Sequence, residues 1–188
     1  MGRRKKISEG LKQYELNDYK LQQVDVRLRL LDGPAYYSTH PIEDAADAIE
    51  LLKDFLKDLD REWVLVVNLD TQLKPVNFSV VSIGSVNESL APIQNIIKSA
   101  ILSNVDQILL MHCHPSGSTE PSQADYELTR RLLEACKLMD MVLVDHLIVG
   151  AINGNYYSFR KFNPDMFDSK DIDLRYLHQM ENIDMVAE

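Results

Sequence analysis

The amino-acid sequence predicts an α/β fold, in which a mixed, mostly antiparallel sheet is flanked by helices within a single domain. Apolar segments typical of buried strands alternate along the chain with segments in which apolar residues recur every three or four positions, as they do in amphipathic helices. The length of 188 residues fits one hydrophobic core. A domain of this size buries roughly 70% of the surface of its unfolded chain.

The chain is expected to have three parts. Residues 1–22 are polar and basic and predict a flexible N-terminal segment, whereas residues 23–163 carry the regular patterns and form the predicted domain. Residues 164–188 are acidic and weakly periodic, which favours a docked helix and a mobile tail equally. The docked helix would use Leu174, Leu177 and Met180.

The first half of the domain is predicted to contain three strands and one helix. Residues 24–30 alternate apolar and charged side chains, which predicts a strand with one buried face. Apolar residues at helical spacing across residues 45–59 predict an amphipathic helix. Residues 62–69 are apolar and β-branched, as in a central strand that is covered on both faces, and residues 76–83 form its predicted antiparallel partner.

The second half is predicted to add two helices and a buried strand that leads to polar residues. One helix begins with Pro92 at its first position, because proline lacks only an N–H that is unpaired there anyway. Residues 107–111 predict a strand that runs directly into His112. A further helix carries Leu128 and Leu132 on its apolar face.

A hairpin is predicted to complete the sheet. Residues 141–149 form an apolar strand, and Asn153-Gly154 is a strong turn signal before a second strand at residues 156–159. The alternation of strands and helices along the whole domain therefore predicts a mixed sheet with helices packed against it.

Composition and charge argue against several classes of function. The net charge of -9 at pH 7 repels nucleic acid overall, and the basic run at residues 3–6 is interpreted as solvated, so charge does not support a nucleic-acid partner. Cys113 and Cys136 are too few for a secreted disulfide framework, which predicts a cytoplasmic location. No apolar segment reaches the roughly 18 residues of a membrane helix, so no membrane association is expected.

The strongest chemical signal is a pair of histidines at the end of the strand. His112 and His114 share one face because alternate residues of a strand do, while Cys113 points away. Asp125 lies in the first turn of the next helix, and the loop between them can return its carboxylate to the imidazoles. Two nitrogens and one oxygen, with a fourth position open to water, are typical of catalytic zinc.

The same residues also allow an interpretation without metal. Ser122 and Asp125 have the spacing of a capping box, in which a serine at the N-cap and an acid three residues later satisfy the free N–H groups of a helix. The two histidines could likewise be satisfied polar residues at a strand end. A buried polar pair is costly unless its groups find partners, however, so the combination favours a site.

The motif resembles that of the JAMM (JAB/MPN) metalloproteases: His-x-His, ten residues, then Asp, with Ser three residues before the Asp. The surrounding residues resemble the RadC branch of that family across residues 61–160, including the segments 112–117, 128–132 and 145–150. The resemblance implies a JAB/MPN fold, which is cytidine-deaminase-like. It also implies that Zn²⁺ is the cofactor.

Residue roles follow from the resemblance and not from the spacing. It implies that His112, His114 and Asp125 are the metal ligands, that Ser122 stabilises the oxyanion, and that Glu62 holds the zinc water and moves its proton. Without the family, Glu62 would be interpreted as a charge at a strand edge. Asp145 and His146 are interpreted as a structural pair that satisfies buried groups, with support of the metal ligands as the alternative.

The implied function is a zinc-dependent metallohydrolase that cleaves an amide bond in a peptide or protein conjugate. The alternative is a RadC-type DNA repair or mobile-element accessory protein that binds DNA, and a partner-binding module without activity is a third hypothesis. The first 60 residues do not resemble the helix-hairpin-helix region of full-length RadC proteins, and Cys113 replaces the family's common asparagine. Neither the substrate nor the oligomeric state is predicted.

Overall fold

The computed structural model describes residues 23–33, 36–57, 59–84, 91–150 and 154–168. Their helices and strands, in chain order, are α1 (Ala45–Leu56), β1 (Trp63–Leu69), β2 (Pro75–Ile83), α2 (Ile93–Ser103), β3 (Gln107–His114), α3 (Gln123–Leu138), β4 (Val142–Gly150), β5 (Tyr156–Ser158) and the short helices α4 (Phe159–Phe162) and α5 (Pro164–Asp168).

The five strands form one mixed sheet in the order β2-β1-β3-β4-β5. Strands β3 and β4 are parallel, and the other three pairs are antiparallel. The parallel pair is joined by α3, because a parallel connection needs a long crossover, whereas antiparallel neighbours need only a short turn. The predicted mixed, mostly antiparallel sheet flanked by helices is therefore confirmed.

Helices cover both faces of the sheet and create two apolar cores. On one face, α2 and α3 pack over side chains such as Val66 and Leu110. On the other face, α1 packs over side chains such as Leu65 and Met111. The central strands are buried on both faces for this reason, which explains why β1 and β3 have nearly continuous apolar sequences.

The predicted strand at residues 24–30 is wrong. This segment has no regular secondary structure, and its apolar side chains are exposed, from 46% at Leu28 to 82% at Leu30. Alternation shows only that a segment could present one apolar face to a core. A strand also needs a hydrogen-bonded neighbour, and this segment does not belong to the five-stranded sheet.

The remaining predicted elements within the described residues are present, with shifts at their ends. The first helix begins at Ala45 because Asp44 forms its N-cap, and Pro92 is the N-cap of α2 instead of its first residue. Strand β3 extends to His114, so both histidines belong to it. The predicted hairpin is confirmed by the antiparallel pairing of β4 with β5.

Some predictions concern parts of the chain that lie outside the described residues. They are the flexible segment at residues 1–22, the Asn153 position of the turn, and the helix or tail after residue 168. Within the described ranges, none of the helices has the length and apolar character needed to cross a membrane.

Candidate metal centre

The two histidines lie at the carboxyl end of β3 and project from the same face of the sheet. Their ring centroids are 4.5 Å apart and their planes are nearly perpendicular. His112 is buried, whereas His114 is partly exposed. Cys113 points into the opposite core, where burial raises the pKa of its thiol to about 12. The cysteine is therefore a neutral core residue on the other side of the sheet from the histidines.

Asp125 lies in the first turn of α3 and contacts the inner histidine. Its Oδ1 accepts a hydrogen bond of 2.7 Å from Nδ1 of His112, and its Oδ2 accepts bonds from the backbone N–H and the hydroxyl of Ser122 at 2.8 and 2.7 Å. Burial disfavours the charged carboxyl, but the bonds from His112 and Ser122 outweigh burial and hold the pKa of Asp125 below its usual range. Asp125 is therefore a carboxylate at neutral pH.

Glu62 approaches the site from the neighbouring strand. It precedes β1, which runs antiparallel to β3 with Trp63 opposite Cys113. This register carries the Glu62 side chain to the histidine end of β3. Its Oε2 lies 3.7 Å from Nε2 of His112, and its side chain is 31% exposed. Glu62 is therefore the carboxylate on the solvent side of the buried imidazole.

Two groups of three potential ligands meet at His112. One contains Glu62, His112 and His114, and the other contains His112, Asp125 and His146. Within each group, one ligand atom per residue lies within 4.8 Å of the others. The three predicted ligands are thus divided between two groups that share His112. Their assignment as His112, His114 and Asp125 stays a prediction, although all of them lie at one end of β3.

Ser122 forms the predicted capping box with Asp125. Its side chain accepts from the backbone N–H of Asp125, and the Asp125 side chain accepts from the backbone of Ser122. Because the single hydroxyl proton of Ser122 is donated to Asp125, the hydroxyl would have to turn away before it could donate to an oxyanion. The capping interpretation is confirmed, and the oxyanion role stays a prediction.

His146 on β4 lies behind this site. It is fully buried, and its ring stacks on Phe159 with centroids 4.8 Å apart. Its Nδ1 lies 2.7 Å from the hydroxyl of Thr129, which lies 2.7 Å from the backbone carbonyl of Asp125. Burial, reinforced by the nearby His112, lowers the pKa of His146 to about 3. The imidazole is therefore neutral at pH 7.

An irregularity between β3 and β4 determines which side chain reaches this position. Ile108 pairs with Leu143, but the next residue, Leu109, pairs with Asp145, so Val144 is an extra residue in β4. One extra residue reverses the face on which all later side chains of a strand project. His146, which pairs with Leu110, therefore projects from the same face as His112.

Asp145 has a structural role, as the sequence predicted. Its carboxylate accepts hydrogen bonds from the Ser158 hydroxyl, from the backbone N–H of Arg160 at 2.9 Å and from that of His146 at 2.7 Å. Burial raises the pKa of Asp145, although these bonds counteract the increase. The residue connects β4 to the corner between β5 and α4.

The hydrogen bonds also define where each site histidine carries its proton. A carboxylate and a carbonyl can only accept, so Nδ1 of His112 donates to Asp125, and Nδ1 of His114 donates to the carbonyl of Ser118 at 2.9 Å. In their neutral forms both residues therefore present an unprotonated Nε2. Histidine ligands of metal ions are commonly oriented in this way by a partner on the other ring nitrogen.

Sequence reasoning missed the bond that connects Thr129 to the centre. The available signal was weak: Thr129 follows Asp125 by four residues, so it lies on the same side of α3, one turn later. Its partner His146 depends on the extra residue in β4, which no periodicity in the sequence indicates.

Comparison with known proteins agrees with this arrangement. The family model described as "RadC-like JAB domain" matches residues 42–164. UPF0758 proteins of Chloroflexus aurantiacus and Roseiflexus castenholzii are 38% and 34% identical over 133 and 139 residues, which are 71% and 74% of this chain and 57% and 58% of theirs. A UPF0758 protein of Moorella thermoacetica is 38% identical over 122 residues, which are 65% of this chain and 52% of that protein.

The chain thus spans about half the length of these curated relatives, and their common name states no activity. The family match covers the sheet, the helices on both of its faces, and every residue of the candidate metal centre. On the match of the family model, the identity to the relatives and the fold, the chain belongs to the RadC-like JAB family.

Proposed function

We propose that this protein is a zinc-dependent hydrolase that cleaves an amide bond in a peptide or a protein conjugate. The observation that carries the proposal is the buried Nε2 of His112, which has no hydrogen-bond partner within the described part of the chain and lies 3.7 Å from a Glu62 carboxylate oxygen. A buried unpaired acceptor costs free energy, and a bound cation would remove that cost.

The residues at the centre fit zinc in chemical type. Imidazole nitrogen and carboxylate oxygen are ligands that zinc accepts, and His112 and His114 have their Nδ1 atoms occupied, so each can offer Nε2. In our proposal His112, His114 and Asp125 hold the ion. Because Asp125 accepts from Nδ1 of His112 in the metal-free protein, its carboxylate would exchange that hydrogen bond for the ion. When bound in such a site, zinc polarises a carbonyl and lowers the pKa of a water ligand to about 7.

The protein's own groups then supply orientation and proton transfer. Glu62 is close to the ligands but partly exposed, so it can accept a proton from the attacking water and deliver it to the leaving amine. Ser122 and His112 hold the Asp125 carboxylate by three hydrogen bonds, which fixes its direction. The exposed side of His114 and Glu62 is where substrate would enter.

Metal content tests the first half of the proposal. The purified protein, loaded with zinc and freed of excess ion, should contain about one zinc per chain because it has one ligand set. His112→Ala and Asp125→Asn should each lower that content in elemental analysis. His40→Ala is the matched control, since His40 is an exposed histidine on a different part of the chain. Unchanged zinc in both site variants would contradict the metal centre.

Product analysis tests the second half. Zinc-loaded protein is incubated with a defined peptide mixture and with isopeptide-linked conjugates, and new termini are detected by mass spectrometry. Glu62→Gln should retain zinc and lose on the order of 10²–10⁴-fold in rate, because the amide cannot take up the proton. If this variant loses zinc instead, Glu62 is a ligand. If it stays fully active, Glu62 does not transfer the proton.

A further inference from the structure

The hydrogen bonds of Thr129 define the protonation state of the buried histidine behind the centre. The hydroxyl of Thr129 has one proton, and the Asp125 carbonyl can only accept, so Thr129 donates to that carbonyl at 2.7 Å. Its oxygen must then accept from Nδ1–H of His146, also at 2.7 Å. His146 is therefore held as the Nδ1–H tautomer, and its Nε2 is unprotonated.

Burying the imidazole of His146 costs more free energy than burying an apolar side chain. Its Nε2 is buried and finds no hydrogen-bond partner among the described residues, and it shares its pocket with His112 and Asp125. An apolar side chain could stack on Phe159 equally well without burying an unpaired acceptor. The feature that an apolar residue would lack is the Nδ1–H donor to Thr129.

The bond connects two elements that carry site residues. His146 belongs to β4, a strand that is hydrogen-bonded on both sides within the sheet. Thr129 lies one turn after Asp125 in α3, and its hydroxyl bonds the backbone of Asp125 itself. A movement of the first two turns of α3 away from the sheet would therefore break the bond between His146 and Thr129. That same movement would carry the Asp125 carboxylate away from His112.

We propose that His146 is a positioning residue of the metal centre, which acts through Thr129 to hold the Asp125 carboxylate against His112. The inference rests on the proposed function, since it assigns a role in metal binding. His146 needs no contact with the ion in this role. One of its ring nitrogens nevertheless lies within 4.8 Å of a potential ligand atom of His112 and of Asp125.

Four variants distinguish a role of the Nδ1–H donor of His146 from a direct role of its ring. In His146→Asn the amide nitrogen occupies the position of Nδ1 and can still donate to Thr129, whereas His146→Gln places its amide at the position of Nε2. Thr129→Ser keeps the hydroxyl, and Thr129→Val removes it without changing the shape. The measurement is the Kd for Zn²⁺, obtained by competition with a chromophoric chelator, with wild type as the reference.

We expect His146→Asn and Thr129→Ser to bind zinc within about threefold of wild type, and His146→Gln and Thr129→Val to bind it about 10–100-fold more weakly, as losses behind a metal ligand usually do. If His146 and Thr129 only stabilised the fold, the variants that keep the hydrogen bond would not differ in zinc affinity from the variants that lose it. Leu132→Ala is the matched control, because Leu132 is fully buried in the same helix and its apolar side chain cannot form a hydrogen bond with His146 or Thr129. It should lower stability and leave the Kd unchanged.

Three results would overturn the inference. If His146→Gln retains zinc affinity and His146→Asn loses it, Nε2 acts directly and His146 does not act through Thr129. If all four variants bind like wild type, the bond has no role in metal binding, while the proposed function survives. If wild type itself binds no zinc, the proposed function fails first and the inference fails with it, so the two failures are distinguishable.

Discussion

At the scale of single residues, the centre depends on which nitrogen of each imidazole carries the proton. A carboxylate, a backbone carbonyl and a hydroxyl occupy the Nδ1 atoms of His112, His114 and His146, respectively. None of these partners belongs to the His-x-His motif. The motif supplies the imidazoles, and the surrounding fold determines their tautomers, so the spacing alone could not show that both histidines present an unprotonated Nε2.

Burial of His146 predicts a specific dependence of stability on pH in the metal-free protein. Its pKa is about 3 in the folded state, whereas the ordinary pKa of a histidine, which it regains on unfolding, is 6.5. Between these values the unfolded chain binds a proton that the folded chain does not, so stability rises with pH across that interval. This one group should contribute a slope of about 1.4 kcal/mol per pH unit.

The slope is measured from urea unfolding between pH 4 and 6, with a chelator present. Carboxylates also titrate in this interval, so the informative quantity is the difference between wild type and His146→Asn. The variant should show the smaller slope, whatever its absolute stability. Equal slopes would mean that His146 is protonated in the folded protein, and the assigned tautomer would then be wrong.

At the scale of elements, the first turn of α3 both caps the helix and contacts the candidate metal centre. Ser122 and Asp125 cap the helix, and the same Asp125 holds His112. Sequence reasoning treated a cap and a ligand as competing interpretations of one spacing. The geometry shows that capping is compatible with a contact to the candidate centre, because one carboxylate oxygen bonds Ser122 and the other bonds His112.

The two capping boxes of this chain provide a matched test of that dual role. Asp44 and Asp47 cap α1 in the same way as Ser122 and Asp125 cap α3, but α1 packs on the face of the sheet opposite to the two site histidines. Ser122→Ala and Asp44→Ala should each reduce the free energy of unfolding by about 1 kcal/mol, the usual value of an N-cap. Only Ser122→Ala should also weaken zinc binding. Equal zinc affinity in the two variants would show that Ser122 does no more than cap.

The element that sequence reasoning misplaced has its own consequence for stability. Helix α1 and strands β1 to β5 were predictable, because a buried face imposes a period on the sequence, whereas residues 24–30 have the period but contribute nothing to the sheet. Which segments pair is a property of the assembled fold. The extra residue at Val144 also cannot be predicted from the sequence. The face from which His146 projects depends on it and is therefore equally unpredictable.

The same substitution at two leucines checks this correction. Leu110 is fully buried, so Leu110→Ala should cost about 2–5 kcal/mol of unfolding free energy. Leu30 is 82% exposed, so Leu30→Ala should change stability by less than about 0.5 kcal/mol. The free energies of unfolding of both variants are measured by denaturant unfolding. A large loss in Leu30→Ala would mean that this segment is paired in solution, as the alternation first suggested.

At the scale of the whole molecule, the candidate ligands join elements that are distant in sequence. Glu62 precedes β1, the two histidines lie at the end of β3, and Asp125 lies in the first turn of α3. These elements belong to the same apolar core. An ion bound by these residues would connect β1, β3 and α3 to one another. Zinc should therefore stabilise the fold as a unit and not only the loop between residues 115 and 121.

Zinc titration of thermal and urea unfolding tests this coupling. An ion that binds only the folded chain stabilises it by RT ln(1 + [Zn²⁺]/Kd), which is about 2.7 kcal/mol when free zinc is one hundred times Kd. His114→Ala should abolish this increment. Because His114 is partly exposed, the same variant should unfold within about 1 kcal/mol of wild type when a chelator is present. A zinc increment of equal size in both proteins would show that His114 does not hold the ion, as expected if the group of His112, Asp125 and His146 binds it instead.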